Sequence, residues 1–390
     1  MKLQKKMFGL IIIGLFCATV FLQHGVTHAA DNMPKIISIS SFGTGSTALA
    51  SMMALSDGMM KKFGVRIRVI PGANEGARLG PVRNGYIHFS ATGQGCWWAW
   101  MGRAEFAQMQ WGPQELYMIW QAESIGSQPF VAACDANIKT PYDMKGKRLT
   151  WIPYSAGHNM PNTAMLAFGN LTWNEVERTT FPSNKAIYPA LAAGQVDAMT
   201  ASGLGGGLHQ VAASPRKLCY ISMPASDKEG WARFHKVVPY MTPIRKTGCI
   251  GMDKNKLYDI STYPYPLILA YGSQDEELVY NMCKMIDESY DLYKDSFLAM
   301  PGMKKERGIK AESIAMLPFH KGAVKYFKAI GYWTPEMESA NNKLIERFKK
   351  QKKMWQDTLY EAGSKAIRGK AFTKMWLEKI GHPEDIEFIK

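Results

Sequence analysis

Lys35-Ile36-Ile37-Ser38-Ile39-Ser40, then Ser41-Phe42-Gly43-Thr44-Gly45-Ser46-Thr47, then Ala48 to Phe63, read in turn as a β-rich run, a polar glycine-containing loop and a helix. The plan recurs. Lys147-Arg148-Leu149-Thr150-Trp151-Ile152 leads into Pro153-Tyr154-Ser155-Ala156-Gly157-His158-Asn159 and then a helix over Pro161 to Gly169. Val65 to Ile70 reads as a strand, Glu75 to Asn84 as a helix and Ile87 to Ala91 as a strand. In the second half Lys185 to Ala193 reads as a helix and Val196 to Ala201 as a strand. This alternation predicts an α/β protein with parallel-type sheets flanked by helices. Two such units predict two domains, with ligand sites where loops leave the carboxyl ends of strands.

The start of the chain predicts export. Lys2, Lys5 and Lys6 precede an uncharged apolar run, Met7 to Leu22, and Thr27-His28-Ala29-Ala30 offers small residues for cleavage before Asp31. That run is shorter than the roughly 20 residues a spanning helix needs. Phe16 beside Cys17 argues against a lipoprotein anchor. Removing residues 1–30, with those three lysines, from the 390-residue chain of net charge +14 leaves 360 residues at +11. That length suits two domains.

Five cysteines remain, Cys96, Cys134, Cys219, Cys249 and Cys283. None has zinc-ligand or CxxC spacing, so buried thiols with at most two bridges are expected, and no metal or cofactor. From Pro301 to Lys390 there are 19 Lys and Arg against 11 Asp and Glu. Between Asn341 and Leu359 these charges surround an apolar stripe, Leu344, Phe348, Trp355 and Leu359, which reads as a solvated helix face and not as a nucleic-acid surface.

The first loop has the chemistry of an anion cradle. Gly43 and Gly45 allow close backbone approach at a helix start, and Thr44, Ser46 and Thr47 add hydroxyls; the alternative is a plain N-cap at Ser46 or Thr47. Gly43, Gly45 and Ala48 fit a loose dinucleotide fingerprint, but Ile70-Pro71-Gly72 lacks the acid that would meet a ribose, and no lysine makes the loop a P-loop. His158 reads as a ligand contact or a structural histidine, and Arg78 as a fork for a carboxylate or a surface arginine. Trp97, Trp98 and Trp100 follow Gly93-Gln94-Gly95, where an indole such as Trp98 would wall a pocket or pack in the core. His320 reads as structural. No catalytic triad or paired-carboxylate arrangement is legible.

Over nearly the whole mature chain the sequence resembles the TAXI-type solute receptors of TRAP transporters. The resemblance rests on Met144-Lys145-Gly146-Lys147-Arg148-Leu149 followed by Ser155-Ala156-Gly157, on Gly194-Gln195-Val196-Asp197-Ala198, and on Leu317-Pro318-Phe319-His320-Lys321-Gly322-Ala323-Val324-Lys325-Tyr326-Phe327. The first loop departs from the group's T-G-G-x-x-G. The resemblance implies a periplasmic type II-like clamshell, with a signal peptide at 1–30, one lobe at 34–130 plus 263–390 and the other at 131–262. Val131-Ala132-Ala133 and Leu267 to Tyr271 are its expected hinge strands. A small organic anion would be held between the lobes and delivered to a membrane-embedded, ion-coupled permease, without catalysis. By position, the contacts implied are Thr44, Gly45, Ser46 and Thr47, then Asn74 and Arg78, Thr92 and Gln94. On the other lobe they are Ser155, Ala156, Gly157, His158 and Asn159, then Thr200, Ser202 and Gly203. The rival readings are a periplasmic sensor, and an enzyme on this fold using His158.

Overall fold

The structure, a computed structural model, describes residues 33–389; the expected leader at 1–30 lies outside them. Twelve strands are present among the described residues: β1 Ile36–Ser41, β2 Arg66–Pro71, β3 Phe89–Thr92, β4 Leu116–Gln121, β5 Phe130–Ala133, β6 Arg148–Trp151, β7 Glu177–Thr180, β8 Ala198–Thr200, β9 Leu218–Tyr220, β10 Thr242–Lys246, β11 Tyr258–Thr262 and β12 Leu267–Tyr271. The helices are α1 Thr47–Phe63, α2 Glu75–Arg83, α3 Gly95–Met101, α4 Ala156–Phe168, α5 Asn184–Ala192, α6 Gly207–Ala213, α7 Lys228–Val237, α8 Glu276–Glu288, α9 Tyr290–Tyr293, α10 Lys305–Gly308, α11 Lys321–Ala329, α12 Pro335–Ser364 and α13 Gly369–Lys379.

Two five-stranded sheets share one plan. The first has the order β2-β1-β3-β12-β4 and the second β7-β6-β8-β5-β9, with β10 and β11 as a separate hairpin. In each sheet the βα-connected strands are parallel, as the alternation predicted: β1 pairs with β2 and β3, and β6 with β7 and β8. The sheets are nonetheless mixed. β12 runs antiparallel to β3 and β4, and β5 antiparallel to β8 and β9. Neither strand is tied to its sheet neighbours by a crossover helix, so nothing forces it parallel. Both are short, fully buried apolar runs, Phe130–Ala133 and Leu267–Tyr271, as central strands covered on two faces require.

The stripe on α12 divides its duties. Leu344 and Phe348 join the main core, whereas Trp355 packs with Phe372 and Trp376 of α13 in a satellite cluster, and Trp376 donates its indole N–H to the Gly102 carbonyl at 2.7 Å. The motif residues of the resemblance are structural where they meet: Arg148 grips Asp197 at 2.7 Å, and His320 caps α11 by accepting the Gly322 amide. Among the described residues no helix is long and apolar enough to cross a membrane.

Cys134 and Cys219 are bridged, joining the end of β5 to β9, and Cys96, Cys249 and Cys283 are buried thiols. The bridge closes a loop of 85 residues. Replacing both cysteines by alanine should therefore lower stability by about 2–4 kcal/mol. Urea denaturation of the double variant checks this, and an unchanged midpoint would show that strand pairing alone holds β9.

Candidate functional site

A cavity of about 300 Å³ lies between the carboxyl ends of the two sheets, at the small end of the range for small-molecule sites. The β1–α1 loop supplies Phe42 to Thr47, the end of β2 Pro71 to Ala73, and the end of β3 Gly93 to Gly95. Facing them are Gly157 and His158 of α4, Ser183 to Lys185 with Tyr188 at α5, and Thr200 to Ser202 with Gly205 after β8. Gln128, Tyr263 and Tyr265 complete the wall where the chain passes between the sheets. Hydrogen bonds span the gap. Thr47 Oγ1 and Ser202 Oγ are 2.9 Å apart, the Gly206 amide donates to the Gly45 carbonyl at 2.8 Å, and Gln94 Nε2 donates to the Gly157 carbonyl at 3.2 Å.

Of the residues singled out from sequence, Thr44, Gly45, Ser46, Thr47, Gln94, Gly157, His158, Thr200 and Ser202 line this cavity. The others do not. Helix α4 begins at Ala156, five residues before the start predicted at Pro161, so Ala156 to Asn159 are its first turn and not a free loop. Proline is tolerated there because the carbonyl its missing N–H would have met, that of Gly157, takes Gln94 instead. Asn159 is spent on the backbone of Ile152, accepting its amide at 2.9 Å and donating to its carbonyl at 2.7 Å. Ser155 is buried at the N-cap. Asn74 caps α2 through the Ala77 amide, and Thr92 lies within the sheet opposite Leu267. Gly203 is pressed against the Gly126 carbonyl and Cys249.

Arg78 is no surface arginine, and it does not line the cavity. It is fully buried, pairs with Glu75 Oε1 at 2.9 Å, donates to the Gly72 carbonyl at 2.9 Å, and lies 3.9 Å over the Phe42 ring. Trp98 is likewise core. It is fully buried on α3 at 4.7 Å from Trp97, with the Arg103 guanidinium 4.7 Å over its ring. Trp100 stacks on Phe348. The aromatic wall consists of Phe42, Tyr188, Tyr263 and Tyr265 instead.

Behind the floor lies an acidic pair. Glu105 accepts the Ala156 amide at 3.1 Å, filling the N-terminus of α4 with the protein's own carboxyl. Glu75 fits between Gly95 and Gly157, where a Cβ on Gly157 would stand 2.5 Å from its Oε1, so both positions need the bare backbone. Burial and the neighbouring Glu75 push Glu105 up to about 8, which keeps it protonated at neutral pH. His158 is pushed the other way, to about 3, by burial. It is neutral, with Nε2 2.8 Å from Thr150 Oγ1 and its ring also bonded to Asn184. Its Nε2 is thus engaged within the protein, by Thr150 and by Asn162.

A family model described as the NMT1-like family matches residues 45–331. The chain belongs to that family. None of the curated proteins matches it. Among solved structures it is similar to an ancestral arginine-binding protein bound to arginine, with 13% identity over 71% of this chain and 100% of that one and a TM-score of 0.41. It is also similar to the alkanesulfonate-binding protein of Xanthomonas axonopodis pv. citri bound to MOPS, with 13% identity over 79% and 98% and a TM-score of 0.40. A periplasmic binding protein of an ABC transporter from Brucella ovis, with glutathione bound, gives 8% identity over 90% and 86% and a TM-score of 0.43. The chain itself shows two five-stranded sheet-and-helix units, as the sequence led us to expect, with mixed sheets where parallel-type ones were predicted.

Proposed function

We propose that this NMT1-like protein is an extracytoplasmic solute receptor. It captures a small organic anion between two lobes, 34–130 with 263–390 and 131–262, and hands it to an ion-coupled TRAP permease without chemical change. The observation that carries the reading is the cavity itself: it is walled from both sheets, and hydrogen bonds such as Gly206 N–H to Gly45 O cross it. A ligand that touches both walls is bound better by the closed arrangement than by an open one, and that difference in affinity drives closure. The TAXI-like motifs favour a TRAP partner and a periplasmic location. The enzyme alternative draws no support from His158, which is neutral and already bonded to Thr150 and Asn184.

Binding should stabilise the protein by RT ln(1 + [L]/Kd), about 2.7 kcal/mol at a hundredfold excess over Kd. A thermal-shift screen of organic acids, amino acids, sugars and amines checks this, with mass spectrometry of the recovered compound. A hit that comes back unchanged supports a receptor. A hit that comes back converted establishes an enzyme. Deleting the gene should abolish uptake of the hit, and unimpaired uptake would leave a sensor.

A further inference from the structure

We infer that the cavity takes a monoanion with a planar apolar body, its oxyanion group seated at the N-terminus of α5 beside Lys185. This rests on the receptor reading above and narrows it.

The helix starts that face the cavity are not equivalent. On α1, Ser46 accepts the Leu49 amide. On α4, the first amide is held by Glu105. On α5, nine residues long, Ser183 makes no side-chain cap, and the Asn184 and Lys185 amides meet no acceptor among the described residues. Open amides at a helix start attract an anion. Lys185 is also the only charged side chain among the described residues that line the cavity.

Two buried side chains independently point to a bound partner. Thr200 is 8% exposed and lines the cavity, yet its hydroxyl has no partner among the described residues. Gln128 is 5% exposed and donates Nε2 to Ser124 at 3.3 Å, while its Oε1 likewise has none. Neither oxygen is sealed inside closed protein; both residues line the cavity, where a ligand can supply the missing partner.

The rest of the wall selects the body. Tyr263 and Tyr265 lie 5.9 Å apart over Gly93, and Tyr188 closes the α5 side. Burial pushes Tyr188 up to about 12 and raises the other two phenols, so all three are neutral. Phe42 has one face covered by Arg78 and also lines the cavity. Rings of this kind stack on a planar apolar group. No Asp or Glu is among the described lining residues, so an ammonium on the ligand would be desolvated without a counter-charge. The carboxylates behind the floor do not supply one, because Glu75 is paired with Arg78 and Glu105 holds its proton.

The test is thermal shift followed by calorimetry on the full protein. Benzoate, phenylacetate and benzenesulfonate are set against succinate, glutamate, phenylalanine, tyramine and glucose. Aromatic monoanions should raise Tm, whereas phenylalanine, which adds an ammonium to a similar skeleton, should not. Benzoate against benzenesulfonate tells carboxylate from sulfonate. Lys185→Gln should weaken binding about tenfold, and Thr200→Val a few-fold, with Tm of the unliganded protein unmoved. An aromatic acid that binds Lys185→Gln and wild type equally would overturn the placement. A dicarboxylate, amino acid, amine or sugar as the best stabiliser would overturn this inference and leave the receptor standing. No shift by any organic solute would overturn both.

Discussion

Replacing Arg78 by methionine should cost about 3–5 kcal/mol of stability in the protein without ligand, because it strands a buried carboxylate. Glu75 is 1% exposed, its Oε1 leans on the Arg78 guanidinium at 2.9 Å, and its Oε2 already has no partner. The methionine retains most of the apolar volume beneath Phe42, so the loss reports the charge and not a hole. Adding Glu75→Gln should restore part of the loss, since the stranded charge is then gone. Urea denaturation of the two single variants and the double variant measures this. If the Arg78 variant instead keeps its midpoint and loses only ligand affinity, the arginine faces the ligand after all, and the description of the floor fails.

Why Arg78 reads differently in sequence and in structure shows what a sequence conceals. Its position one turn into a helix after Gly72-Ala73-Asn74 is the same whether the guanidinium points to the cleft or into the protein. The carboxylate that decides the matter is three residues away on the same helix, and such pairs are usually surface features. What buries this one is the fold around it: the Phe42 ring covers the guanidinium and Gly157 of α4 stands against Glu75, contacts far apart in the chain. The tryptophans fail for the same reason. Trp97, Trp98 and Trp100 follow a strand end, but α3 is enclosed all round and fully buried.

The periodic elements were legible because local pattern suffices for them. β1, α1, β2 and α2 begin within a residue or so of their predicted starts, and the two repeated units do become two sheets of one plan. Direction was not legible for β5 and β12, since a short apolar run carries no sign of which way it enters a sheet. The first loop lines the cavity as its glycines and hydroxyls suggested. The α5 start was passed over because Ser183-Asn184-Lys185 looks like any capped helix. Its missing cap is a fact of side-chain geometry. Tyr263 and Tyr265 did carry a signal, the Tyr-Pro-Tyr-Pro repeat that leads into the expected hinge strand at Leu267.

Glu105→Gln should remove a pH-dependent loss of stability. In the folded protein burial and Glu75 hold the Glu105 proton up to about 8, against an ordinary value of 4.5. Between those values the unfolded chain has released this proton and the folded chain has not. The native state therefore binds more protons, and its stability falls as pH rises through that window, levelling off above about 8. At pH 8.5 the side chain weakens the fold by on the order of 4 kcal/mol relative to pH 4. Glutamine keeps an oxygen to accept the Ala156 amide, 3.1 Å away in the wild type, and it does not ionise. The variant should match wild type near pH 4–5 and exceed it increasingly toward pH 8.5. Every other titrating group is present in both proteins, so the difference between their denaturation midpoints reports Glu105 together with its coupling to Glu75. Midpoints that run parallel across the range would mean that Glu105 ionises as freely in the folded protein as in the unfolded chain. The N-terminus of α4 would then be held by a charged carboxylate, and the floor of the cavity would be anionic.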